Sequence, residues 1–317
     1  MENLPQPVRS VKIPLTVAIP DYLRDHRYDG RIVLPAAEAL QILARSLPGD
    51  LPRCDPHLQE GGEFPHLLPL DADTDVFSAF HEIDYSPDGS RQSRLTTLRT
   101  GRQTQLNRRI THVSVAFSPV DDKKANRENG SADGSGGAVP AWLSRKRGDD
   151  PADGADPTQI EAAELNGPIF TFPCRRLYAD LVPFGPAYRN VITEITLTKT
   201  GASANVSGGD FREAVGPLGS PFPIDASMHV ACAWGQRYRN VVAFPVGIDR
   251  REIILPTSAG ETYRCRVFPL RGEGAVLRFN VCLFGKDDRP AEIILGLRMR
   301  DISGGRLKPP AWVRKGV

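Results

Sequence analysis

The chain has 317 residues, 40% of them hydrophobic and 25% charged, with a formal net charge of +2. That length suits two domains better than one, and the mix is expected of a soluble globular protein. No run approaches the ~18 apolar residues of a membrane helix, and so slight a charge does not mark nucleic acid or an anionic membrane as partner.

The opening MENLPQPVRSVKIP is polar and lacks the apolar run of a secretory signal. Val11 to Ile19 then alternates like a strand, and Pro14 suggests a sheet edge or a bulge. A loop runs to Pro35. Ala36, Leu40, Leu43 and Leu47 recur at helical spacing, with Pro35 suited to the first helical position. After a Pro-rich stretch come strand-like runs at 76–84, 91–100 and 104–117. Residues 121–157 are dominated by Gly, Ser, Asp, Asn, Lys and Pro. Such a composition buries too little apolar surface to offset chain entropy, so a disordered linker is expected there.

Beyond it, 188–200 and 202–207 read as a hairpin around Thr200-Gly201. Ile224, Met228, Ala231, Cys232 and Gly235 trace one face of a second helix, and strand-like runs at 241–248, 263–270, 275–284 and 291–301 close the chain. Each half is thus mainly antiparallel sheet with one apolar helix, and no βαβ alternation is present. The five cysteines, Cys54, Cys174, Cys232, Cys265 and Cys282, are odd in number and form no CxxC. Small buried thiols in a reducing cytoplasm are therefore expected.

Three constellations carry chemistry. His26, Gly30 and Pro35 fit HxxxGxxxxP: an imidazole able to accept a proton near neutral pH, a glycine turn, and a helix start with unpaired N–H groups. Asp225 and His229 lie four apart and share one face of the second helix, although Asp225 by itself also reads as a helix-end carboxylate. Phe184-Gly185-Pro186-Ala187-Tyr188 is a tight turn entering a strand. No HExxH, GxGxxG after a strand, GxxxxGK[ST] or GxSxG is present, so zinc hydrolysis, nucleotide binding and serine chemistry have no support.

Taken in order, these pieces resemble the dehydratase domains of modular polyketide synthases and of the related animal fatty acid synthase. His26, Gly30 and Pro35 match the family's HxxxGxxxxP. The run Phe184 to Tyr188 stands at its YGPxF, and Ser220-Pro221 to Asp225, followed by His229, at its HPxxxD and DxxxQ/H. Phe184 departs from the family's Tyr, and Ser220 from its His.

The resemblance implies an α+β double hot-dog fold, two antiparallel sheets each wrapped around a long central helix. Residues 1–120 would form the first hot dog and 158–317 the second. It implies elimination of water from a 3-hydroxyacyl thioester carried on the phosphopantetheine of acyl carrier protein, in polyketide or fatty acid biosynthesis. His26 would take the α-proton and Asp225 protonate the leaving hydroxyl. His229 would hold that carboxyl. Gly30, Pro35, Phe184, Gly185, Pro186 and Tyr188 would shape the substrate site. No metal or other cofactor is implied. The implied partners are acyl carrier protein and other synthase subunits, with room for a homodimer. A double-bond isomerase or cyclase on the same fold is the alternative, and a non-catalytic acyl-carrier docking subunit a further one.

Overall fold

Strands outweigh helices in this computed structural model, which describes residues 9–49, 54–85, 90–100, 107–119, 165, 167–271 and 274–314. The linker expected at 121–157 lies outside the described residues.

β1 (Arg9–Ala18) alternates inward and outward residues and pairs with β5 (Val76–Tyr85) from Arg9↔Tyr85 to Ala18↔Val76. It is an edge strand, the position where Pro14 is tolerated. A 3-10 turn (Asp21–Asp25) leads to His26 and to a small hairpin, β2 (Arg27–Tyr28) and β3 (Arg31–Ile32). Its turn is Asp29-Gly30, both at positive φ (51° and 75°), as a two-residue turn matching strand twist requires. α1 (Ala36–Arg45) follows, burying Leu40 and Leu43. Pro35, expected at the first helical position, is instead its N-cap with extended backbone, and Ala36 is the first helical residue.

β4 (Cys54–Glu63), β6 (Arg91–Thr100), β7 (Asn107–Pro119), β8 (Phe170–Phe172), β9 (Ile195–Thr198) and β10 (Gly201–Ser207) come next in chain order. Only β9 and β10 form the expected hairpin; residues 188–194 are turns and bridges. α2 (Phe222–Arg239) is buried on all sides from Phe222 to Gln236, as a central helix must be. It stops at Asn240, left-handed with φ 56°. β11 (Phe244–Ile253), β12 (Thr262–Pro269), β13 (Leu277–Phe284) and β14 (Pro290–Arg300) complete the sheet.

The strands are ordered β1-β5-β6-β7-β4-β11-β14-β13-β12-β10-β9-β8, every pairing antiparallel. Two expected features are corrected. The sheet of the first half and that of the second are one sheet, because β4 pairs with β11 from Gly247↔Glu63 to Glu252↔Leu58. The helices are unequal, 10 residues in α1 against 18 in α2, so only the second half carries a long one.

One core surrounds α2 with Leu197, Val206, Phe279 and Val281. The other surrounds α1 with Leu95, Val115 and Phe117, and it also takes in Tyr188, Leu218 and Phe222 from the second half. Gln41 of α1 fastens the two: its Nε2 donates to Gly219 O, and its Oε1 accepts from Leu218 N. The five cysteines are free thiols; Cys232, Cys265 and Cys282 are buried as expected, but Cys54 and Cys174 are only half-buried. Among the described residues, no helix is long and apolar enough to cross a membrane.

Candidate active site

The loop carrying Phe184 is fastened to the turn that ends in His26. Gly185 N donates to Asp25 O at 2.9 Å, and Ala187 N donates to Asp25 Oδ2 at 2.9 Å. Gly185 is required here, because a Cβ would collide with the Asp25 side chain. The fastening lays the Phe184 ring on the His26 imidazole, centroids 4.4 Å apart and nearly parallel. Tyr188 meets His26 edge-on at 5.0 Å.

His26 Nδ1 lies 2.7 Å from Val33 O. A carbonyl can only accept, so Nδ1 carries the proton and Nε2 presents a lone pair. That Nε2 is 4.0 Å from Asp225 Oδ1, and the two side chains are 13% and 9% exposed. Burial disfavours imidazolium and lowers the His26 pKa below its ordinary value, outweighing Asp225 and the Val33 carbonyl, which push the other way.

Asp225 occupies the first turn of α2, whose N-cap, Pro221, offers no side-chain cap. One turn on, His229 Nε2 stands 3.0 Å from Asp225 Oδ2, at the distance but not the angle of a formed hydrogen bond. Phe184 also touches His229, with centroids 5.0 Å apart. On the far side of that imidazole, Tyr178 Oη lies 3.4 Å from His229 Nδ1.

A cavity of about 320 Å³ opens over these groups, lined by His26, Phe184, Asp225 and His229. Leu34, Phe64, Leu68, Val113 and Phe244 supply apolar wall. α2 contributes Asp225, Met228, His229, Cys232 and Gln236, one helical face, and Arg27, Asp29, Arg306 and Lys308 are exposed lining residues at its rim. A bare imidazole nitrogen and a carboxyl facing one apolar cavity can take a proton from one atom and return one to its neighbour.

The structure therefore brings His26, Phe184, Asp225 and His229 together. Gly30 lies at the exposed tip of the β2–β3 turn, off the cavity; Pro35 is buried beside it, between the lining residues Leu34 and Ala36. Gly185, Pro186 and Tyr188 support the site without lining it. Ser220 acts locally: its Oγ donates to Gly208 O and accepts from Phe222 N, fixing the entry to α2. Asp25, the Val33 carbonyl and Tyr178 escaped the sequence reading. Tyr178 stands in a mixed charged and apolar segment with no motif to mark it, and a backbone acceptor has no side-chain signature. Among the described residues, no three His, Cys, Asp or Glu side chains gather as a metal site.

No protein-family profile matches the chain, and no curated protein matches it by sequence. Solved structures do, 132 chains in all. The dehydratase domain from the CurF module of curacin polyketide synthase superposes with TM-score 0.63 at 11% identity, over 94% of this chain and 95% of that one. The dehydratase domain of RzxB from Pseudomonas fluorescens gives 0.61 at 13%, over 91% and 94%. The CurJ dehydratase, solved as a histidine-to-phenylalanine inactive mutant in complex with a compound, gives 0.61 at 12%, over 94% and 95%. Nearly full coverage in both directions matches the whole arrangement of strands and helices, and this chain therefore has the hot-dog-type fold of the polyketide synthase dehydratase domains.

Proposed function

We propose that the protein eliminates water from a 3-hydroxyacyl thioester carried on acyl carrier protein, giving an enoyl thioester during polyketide biosynthesis. The observation that carries this reading is the pair His26 Nε2 and Asp225 Oδ1, 4.0 Å apart and facing one apolar cavity. His26 Nε2 removes the α-proton, and burial keeps it neutral for that task. Asp225 gives its proton to the β-hydroxyl, which leaves as water. The developing thioester enolate is assigned to the first turn of α1, where Ala36 lines the cavity and helix amides have no partner within the helix. That an analogous CurJ dehydratase is inactive with a histidine replaced by phenylalanine supports a histidine base.

On this reading the two hot dogs, 1–120 and 158–317, each supply one member of the dyad. The long helix of the second carries Asp225. The protein works in the cytoplasm with acyl carrier protein and other synthase subunits, and it needs no cofactor of its own. His26→Ala and Asp225→Asn should each slow single-turnover dehydration of a 3-hydroxyacyl phosphopantetheine thioester by ~100–10,000-fold while melting near wild type. Wild-type turnover by either variant refutes the dyad. Turnover of an enoyl or poly-β-keto thioester, with none of the hydroxyacyl one, selects the isomerase or cyclase reading instead.

A further inference from the structure

We propose that Tyr178 is a positioning residue that fixes the tautomer of His229 and, through it, the orientation of the Asp225 carboxyl. The proposal rests on the dehydratase reading for its kinetic consequence, although its structural part stands alone.

Tyr178 is buried, and its phenol oxygen lies 2.7 Å from Val191 N. An amide N–H can only donate, so the oxygen accepts there and keeps its own hydrogen to give. The ring nitrogen facing it is His229 Nδ1 at 3.4 Å, the two rings standing almost perpendicular. Burial holds the phenol pKa above its ordinary value, so the hydrogen is present throughout the working range. A neutral imidazole that accepts at Nδ1 carries its hydrogen on Nε2. That nitrogen is 3.0 Å from Asp225 Oδ2, within hydrogen-bond reach once the ring turns to align its N–H.

The donors then run in one direction, from Val191 N–H to Tyr178 O–H to His229 Nε2–H to Asp225 Oδ2. The result is asymmetry at the carboxyl. Oδ2 faces His229 at 3.0 Å, and Oδ1 is left toward His26 and the cavity. With the opposite tautomer, a bare Nε2 would face Oδ2 at 3.0 Å and draw the carboxyl's proton there, away from Oδ1 and the cavity. Phe184 packs on both imidazoles but has no hydroxyl with which to do this work.

The test uses the full chain with ¹⁵N-labelled histidine. In the wild type, the two ring nitrogens of His229 should show the Nε2–H tautomer. In Tyr178→Phe they should move toward a tautomer mixture, a change that loss of packing alone does not produce. In single-turnover dehydration, Tyr178→Phe should lose roughly tenfold in rate with little change in KM, the worth of one buried hydrogen bond. The loss should disappear when His229 is already Ala, because the effect passes through that ring. An Nδ1–H tautomer in the wild type, unchanged ring shifts in Tyr178→Phe, or an undiminished loss in the His229→Ala background each overturns the proposal. Should the wild-type chain dehydrate nothing, the dehydratase reading falls, while the ring-nitrogen shifts still decide the role of Tyr178. The wild-type tautomer needs no variant, so a Tyr178→Phe chain that fails to fold does not shield the proposal.

Discussion

On the dehydratase reading, burial is what leaves His26 neutral and able to act as the base, and that makes a pH prediction. The charged form is the protonated one, so desolvation stabilises the neutral imidazole and moves its pKa below 6.5. The acid limb of kcat/KM for dehydration, where the base takes up its proton, should therefore lie below pH 6.5. A profile breaking at or above 6.5 would place the titrating base elsewhere. Glu38 of α1 shows the opposite case. It is 4% exposed, and its Oε1 has no hydrogen-bond partner among the described residues. Burial, opposed by a bond from Tyr22 and by Arg45, raises its pKa from 4.5 to about 8. Below pH 4.5 it is protonated whether the chain is folded or not. Between 4.5 and about 8 only the unfolded chain releases the proton, so the folded state loses stability through that window. Glu38→Gln should remove this slope, worth about 1.4 kcal/mol per pH unit at most. Urea midpoints at pH 5 and pH 8 that change in parallel for wild type and variant would disprove it.

At the scale of elements, the seam between β4 and β11 joins the halves, and β4 is a long strand that the sequence hides. Pro56 and Gly61-Gly62 punctuate it like a loop, and its residues are mostly polar. The structure absorbs them as irregularities: the β4–β7 register shifts between Asp55 and Gln59 and again between Glu60 and Glu63. Beside the seam, Arg251 of β11 makes a two-pronged pair with Glu292 of β14, at 2.7 and 3.1 Å, the side chains 2% and 1% exposed. Its remaining nitrogen reaches Gln59 of β4 at 3.5 Å. Removing one partner strands a buried charge. Glu292→Gln should therefore cost about 3–5 kcal/mol in chemical denaturation. A loss under 1 kcal/mol would show that water reaches the seam.

At the scale of the molecule, the two halves depend on each other. The core around α1 is completed by Tyr188, Leu218 and Phe222, and without β11 the β4 edge is bare. A chain of residues 1–120 should thus show no cooperative melting by itself and regain it when co-expressed with 158–317. Independent two-state unfolding of the first fragment would mean that its core closes unaided.

Much was nonetheless legible one residue after another. Strand-like runs located most strands, alternation marked β1, helical spacing located α1 and α2, and Pro14 pointed to an edge or a bulge, because backbone preference and amphipathic period are local properties. The residue types at His26, Asp225 and His229 likewise pointed to acid–base chemistry, and the structure places them with Phe184 at one cavity. Their relations were not local. Which nitrogen of His26 is bare depends on Val33 O, and which oxygen of Asp225 faces it depends on His229 and Tyr178. The joining of two sheets into one depends on β4 finding β11. Each of these is a distance between groups remote in the chain, set by packing, and no periodicity in the sequence records it.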